Sequence, residues 1–325
     1  MESTSSSTQR ALVLGASGGI GGEIARQLRD TGWQVLALRR GLATRTEQRD
    51  GMTWLRGDAM NREDVTRAAQ GCQVIVHAVN PPGYRHWAEQ VLPMMDNTIA
   101  AAIAEQATIV LPGTVYNYGP DVFPSIDEEA SQNPRTRKGS IRVRMEQRLQ
   151  AATASGARAI IVRAGDFFGP QAGNNWFSQA LIKPARPLKK VLQPGKAGIG
   201  HQWAYLPDVA RTMVALLERR DRLEPFARFH MQGHWDADGT RMTSTIRDIA
   251  RQHGMNPTIS AFPWWLTALL SPVVPTLREL REMRYLWRQP VQLDSRRLQE
   301  TLGTEPHTPW DEAVTATLRG MGCIE

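Results

Sequence analysis

Cysteine is nearly absent: Cys72 and Cys323 are the only 2 in 325 residues. So few thiols exclude a disulfide framework and a Cys-based zinc site, and a reducing cytoplasm is the expected setting. His77, His86 and His201 show no metal-ligating spacing, so no metal is expected. Long apolar runs are missing too. None reaches the roughly 18 residues of a spanning helix. The nearest candidate, Ala261 to Leu277, is broken by Pro263, Pro272 and Pro275 and reads as a cap over a pocket, with membrane-surface contact as the alternative. Residues 1–9 lack a basic or apolar leader pattern and read as a loose tail. The formal charge of +7 comes mostly from dispersed arginine, with clusters from Arg135 to Lys138 and from Arg278 to Arg288. No nucleic-acid-binding motif accompanies it, so no nucleic-acid partner is expected.

The chain does have a regular alternation of short apolar runs and helical patterns through its first two-thirds. Strands are expected at Ala11 to Leu14, Gln34 to Leu38, Met52 to Leu55, Val74 to Val79, Thr108 to Leu111 and Ala159 to Val162. Helices are expected at Gly22 to Asp30, Glu63 to Gln70, about Glu89 to Gln106 and about Ile141 to Ala154. This order signifies βαβ units and a parallel sheet. The fold class expected is α/β, a Rossmann-type doubly wound parallel sheet with a smaller C-terminal substrate lobe. The sheet domain would take 10–170, with 200–220 returning to it, and the lobe most of 171–325.

The strongest motif is ALVLGASGGIGGEIARQL. Gly15, Gly18 and Gly21 stand directly after a strand and before an amphipathic helix, with Ser17, Gly19 and Ile20 between them. The first glycine permits a tight turn, the second lets backbone approach a pyrophosphate, and the third lets helix and strand pack closely. The helix N-terminus then offers N–H donors to phosphate oxygens. A dinucleotide site is expected. An NAD-preferring protein places an acid about 20 residues on, for the ribose 2′-hydroxyl. Here the second strand ends Leu38-Arg39-Arg40. Guanidinium pairs with a 2′-phosphate, so NADP(H) is expected over NAD(H).

GASGGIG, the arginine-bearing strand end, RGDAMNRED and HAVN together resemble the extended short-chain dehydrogenases/reductases, also called the NAD-dependent epimerase/dehydratase family. RAGDFFGP and WAYLPDVA resemble later landmarks of that family, and LDSRRLQETLG loosely resembles a common tail segment. The resemblance implies that Asp58 accepts from the adenine amino group and that Ala78 and Val79 line the adenosine–pyrophosphate channel. It also implies a Ser/Thr at the end of the fifth strand and a Tyr-x-x-x-Lys pair on the next helix. Aligned on Tyr118-Gly119, LPGTVYNYGP puts Thr114 in the hydroxyl role.

The tyrosine pair is absent. None of Tyr84, Tyr116, Tyr118, Tyr205 and Tyr285 has Lys or Arg four residues later. In KGSIRVRME, with Glu146 as the glutamate that follows the pair, Lys138 takes the Tyr position and Arg142 the Lys position. Arg142 is placed to hold ribose hydroxyls or phosphate. The proton donor stays open between Lys138 and the two tyrosines nearest Thr114, Tyr116 and Tyr118. His77 reads as a core residue and Asp208 as a helix cap. Substrate contacts are expected from Tyr84 and Trp87, in a loop at the C-terminal sheet edge, and from Trp176, His201 and Tyr205.

These features imply an NADP(H)-dependent oxidoreductase acting on a small carbonyl or hydroxyl substrate. A non-catalytic NADP(H)-binding sensor is the alternative, because some members of the wider superfamily without the pair bind cofactor only. A nucleotide-sugar epimerase or dehydratase comes third, since those enzymes usually keep the tyrosine. The resemblance also implies a homodimer through the two long helices, with a monomer as the alternative that loss of the pair would permit.

Overall fold

Strand β1 (Arg10–Leu14) sends its side chains alternately to two faces, as a fully buried central strand must. Ala11 and Val13 join one apolar cluster, Leu12 and Leu14 another. The computed structural model that shows this describes residues 9–81, 87–173, 175–270 and 275–325. The expected tail and Tyr84 fall outside the described residues, residue 9 excepted.

Around β1 the sheet grows in both directions. Its further strands are β2 (Gln34–Arg39), β3 (Thr46–Arg49), β4 (Met52–Arg56), β5 (Val74–His77), β6 (Thr108–Gly113), β7 (Arg158–Arg163) and β8 (Phe226–His230). The order is β8-β7-β6-β5-β1-β2-β4-β3. Every pairing is parallel except β3 against β4. Helices α1 (Gly19–Asp30) and α5 (Leu206–Leu217) pack together on one face. On the other face, α3 (Trp87–Glu105) packs against both α2 (Arg62–Ala69) and α4 (Arg137–Ala152). This is the doubly wound arrangement. The order in which strands are added reverses between β1 and β5, and the crevice at that switch point is where open sheets of this type bind ligands.

Three expectations need correction. Strand β8 joins the sheet although its residues lie beyond the 10–170 and 200–220 segments. Helix α4 starts at Arg137, a turn before Ile141, because the Thr136 hydroxyl accepts from Gly139 N (2.9 Å) and caps it. Asp208 does not cap α5. Its carboxylate instead accepts from Thr308 N (2.7 Å) and pairs with Arg211, tying a C-terminal loop to the helix.

The second lobe has its own core, built around Phe168, Phe177, Trp203, Ile246 and Leu318. Three short strands, Asp166–Phe168, His201–Tyr205 and His234–Asp236, carry it beside the C-terminal end of the main sheet. Among the described residues, no helix is long and apolar enough to cross a membrane.

Leu12 is fully enclosed between layers, so Leu12→Ala should cost about 2–5 kcal/mol of unfolding free energy. Trp265 is 71% exposed, and Trp265→Ala should change stability by less than about 0.5 kcal/mol. Urea denaturation of the two variants tests the layer assignment, and equal losses would contradict it.

Candidate active site

The glycine turn forms the floor of a 660 Å³ cleft at the switch point. Gly15 has φ +92°, a conformation that side chains disfavour, and a Cβ there would lie 2.6 Å from the Ala78 carbonyl oxygen. Gly21 is buried behind the turn, where a Cβ would overlap the Gly15 carbonyl. Gly18 caps α1 with extended backbone and no side-chain hydrogen bond. The first-turn N–H groups of α1 are thus unblocked by any capping side chain. Gly15, Ser17, Gly18, Gly19 and Ile20 line the cleft. A cradle that a Cβ would fill, at a bare helix N-terminus, fits a pyrophosphate.

Along the same cleft lie Arg39, Arg40, Asp58, Ala78 and Val79. Both arginines are exposed. The Arg39 guanidinium lies 5.9 Å from the Trp54 ring centroid, and Arg40 Nη1 is 3.9 Å from Asp58 Oδ2. Asp58 is not the cap of α2. That role belongs to Asn61, whose side chain accepts from Asp64 N, while Asp58 accepts from Met60 N.

At the other end the cleft meets β6 and α4. Thr114 stands just past β6, and Tyr116 beside it also lines the cleft. Lys138 and Arg142 are one turn apart on α4, both buried and both facing the cleft. Their cationic groups lie 5.6 and 5.4 Å from the Trp87 ring centroid, and Arg142 Nη2 donates to Asn80 Oδ1 at 3.1 Å. Arg142 Nε is buried without a hydrogen-bond partner.

Beneath Thr114 runs a buried polar network that sequence reasoning did not find. Arg163, at the end of β7, donates through Nη2 to both carboxylate oxygens of Glu146 (3.0 and 2.9 Å) and through Nη1 to the Thr114 carbonyl (2.5 Å). Asn117 Nδ2 donates to Glu146 Oε1 at 2.8 Å, which turns Asn117 Oδ1 toward Thr114. The Thr114 hydroxyl donates to that oxygen at 2.6 Å. Its proton is therefore committed inward, and its lone pairs remain for the cleft. The available signal was a charged residue closing an otherwise apolar strand, Ala159 to Arg163.

Several expected site residues lie elsewhere. Tyr118 is fully buried away from the cleft. His230 Nδ1–H donates to the Ile126 carbonyl, so Nε2 accepts from the Tyr118 hydroxyl (3.1 Å) and from Arg163 Nε (3.2 Å). Burial raises the Tyr118 phenol above its ordinary range. Tyr205 is buried against Phe168, and burial with the nearby Asp208 charge pushes its phenol up to about 12. His201 stacks on Trp287 at 3.7 Å and bonds Asp166 at 2.8 Å, and does not line the cleft. Trp87 and Trp176 do line it.

Residues 11–231 match the model of the NAD dependent epimerase/dehydratase family. The chain belongs to this family. A 138-residue stretch is 28% identical to a 2-alkyl-3-oxoalkanoate reductase of Shewanella oneidensis, covering 42% of this chain and 35% of that protein. The match thus spans about a third of that relative's length. Among solved structures, MoeE5 in complex with UDP-glucose and NAD is similar at TM-score 0.71 and 18% identity, over 96% of this chain and 98% of that one. UDP-glucuronic acid 4-epimerase from Bacillus cereus, in complex with UDP-glucuronic acid and NAD, gives TM-score 0.73 at 16% identity, over 96% and 99%. UDP-glucose 4-epimerase of Thermus thermophilus, in complex with NAD, gives 0.69 at 20%, also over 96% and 99%. At such identities the likeness establishes the fold.

The buried polar groups set two expected outcomes. Glu146→Ala strands the Arg163 guanidinium and should cost about 3–5 kcal/mol in chemical denaturation. Burial, reinforced by Arg142 for His77 and by Arg163 for His230, pushes both imidazoles down to about 3 from the ordinary 6.5. The unfolded chain therefore binds more protons below the ordinary value. Stability is full above that value and falls as pH drops toward the folded one, by up to about 1.4 kcal/mol per pH unit for each histidine. An unchanged urea midpoint between about pH 7 and about pH 5 would contradict this.

Proposed function

We propose that this protein is an NADP(H)-dependent oxidoreductase acting on a small carbonyl or hydroxyl compound. The observation that carries this reading is the survival of a charged pair where the tyrosine pair is missing. Lys138 and Arg142 line the cleft on one face of α4, with Thr114 lining it from the end of β6. When bound, the nicotinamide supplies or takes up a hydride. Lys138 is the proton donor to, or acceptor from, the substrate oxygen. Thr114, its proton held by Asn117, accepts a hydrogen bond from a substrate hydroxyl or from an ammonium. Arg142, fixed by Asn80 and Trp87, brings positive charge to the same end. Tyr116 remains the second candidate for proton transfer, because it too lines the cleft.

Arg39 and Arg40 favour a 2′-phosphate at the far end, and the glycine turn holds the pyrophosphate between. The reductase relative supports redox chemistry over epimerisation. A sensor that only binds cofactor is the second reading, favoured by the absence of any Tyr-x-x-x-Lys pair.

Fluorescence titration tests the cofactor assignment. NADPH should bind about tenfold or more tightly than NADH, and Arg39→Ser with Arg40→Ser should abolish that preference. Binding of neither dinucleotide would overturn the proposal. NADPH consumption against a panel of carbonyl compounds then separates the readings: an enzyme turns one over and loses this in Lys138→Met, whereas a sensor consumes none.

A further inference from the structure

The reacting end of the cleft carries more positive than negative charge. Lys138 and Arg142 are 6% and 7% exposed, so little water solvates either. Across from them the lining supplies one carboxylate, Asp166, which is held by His201 at 2.8 Å. Arg142 is the sharper case. Its hydrogen bond goes to a neutral amide, its face lies over Trp87, and its Nε points at no acceptor. A buried guanidinium that lines the cleft and pairs with no carboxylate among the described residues calls for an anion, because an uncompensated buried charge is costly.

The opposite wall is of different chemistry. Phe167, Trp176, Leu280 and Met283 line it, with the neutral polar Asn175 and Gln179 among them, and Trp176 is braced by Trp264 and Trp287 at ring separations of 5.9 and 5.2 Å. From residue 164 onward, none of the described residues lining the cleft is a cation. A diphosphate tail on that wall would meet no positive partner, whereas an alkyl or aryl chain meets a surface of matching polarity.

We propose that the substrate is an oxo- or hydroxy-carboxylate with an apolar tail. Its acid group pairs with Arg142 close to the reacting carbon, and its tail runs along Trp176, Leu280 and Met283. This rests on the oxidoreductase reading for the word substrate, but the binding claim stands without cofactor.

Trp87 and Trp176 both line the cleft, so their fluorescence reports its occupancy. The test titrates the full chain with octanoate, 1-octanol and UDP-glucose, with and without saturating NADP⁺. Octanoate should bind about tenfold or more tightly than octanol, as a charge-assisted pair requires. It should also bind more tightly than UDP-glucose, and Arg142→Gln should bring octanoate down to the octanol level. Equal affinity of octanoate and octanol in the unmodified protein overturns the proposal without recourse to any variant. Preferred binding of UDP-glucose overturns it as well. Failure of NADPH to bind, measured separately, would remove the redox reading and leave the carboxylate result intact.

Discussion

The ion pair between Glu146 and Arg163 ties the middle of α4 to the end of β7. Glu146 belongs to α4 and Arg163 to β7, and they are 5% and 1% exposed at the side chain. Two charges so far from water are tolerated because every direction is answered: Arg163 meets Glu146, the Thr114 carbonyl and His230, and Glu146 meets Asn117 and Gln132 as well. The pair sets the height of α4 against the strand ends. Lys138 and Arg142 lie two turns and one turn upstream of Glu146 on that helix, so their approach to Thr114 depends on it.

The cleft is thus bounded by two kinds of precision. At the glycine turn it is steric, since backbone packs so closely that no Cβ fits at Gly15 or Gly21. Under Thr114 it is electrostatic, since a chain of donors and acceptors fixes which way a hydroxyl points. The steric end suits a ligand that varies little. The electrostatic end can change its chemistry by exchanging side chains on one helix face, and here that face carries Lys138 and Arg142.

Much of the sheet was legible because its signals are local. In β1 and β5 nearly every residue is apolar, the glycine spacing marks the turn, and the arginines close β2. What escaped depends on distant partners. β3 reads Thr-Glu-Gln-Arg, without an apolar residue, and is a strand only because β4 pairs with it at the sheet edge. β8 carries Arg228 in its middle, which interrupts an apolar pattern, yet it is held in register by β7. Tyr118 looked available for chemistry, but its hydroxyl is taken by a histidine 112 residues away. His201 similarly lost its solvent face to Trp287. No pattern within a short window encodes such pairings.

The cleft is walled by segments from Leu14 to Met283, drawn from both the sheet and the second lobe. A molecule seated there acts as a noncovalent clasp between the sheet and the later segments that line the cleft. Its binding free energy is realised only when both walls are in place, so occupancy favours the arrangement in which they meet. At a hundred times its dissociation constant the clasp adds about 2.7 kcal/mol. The protein that works in the presence of its ligands is, in this sense, a tighter and more protease-resistant object than the bare chain.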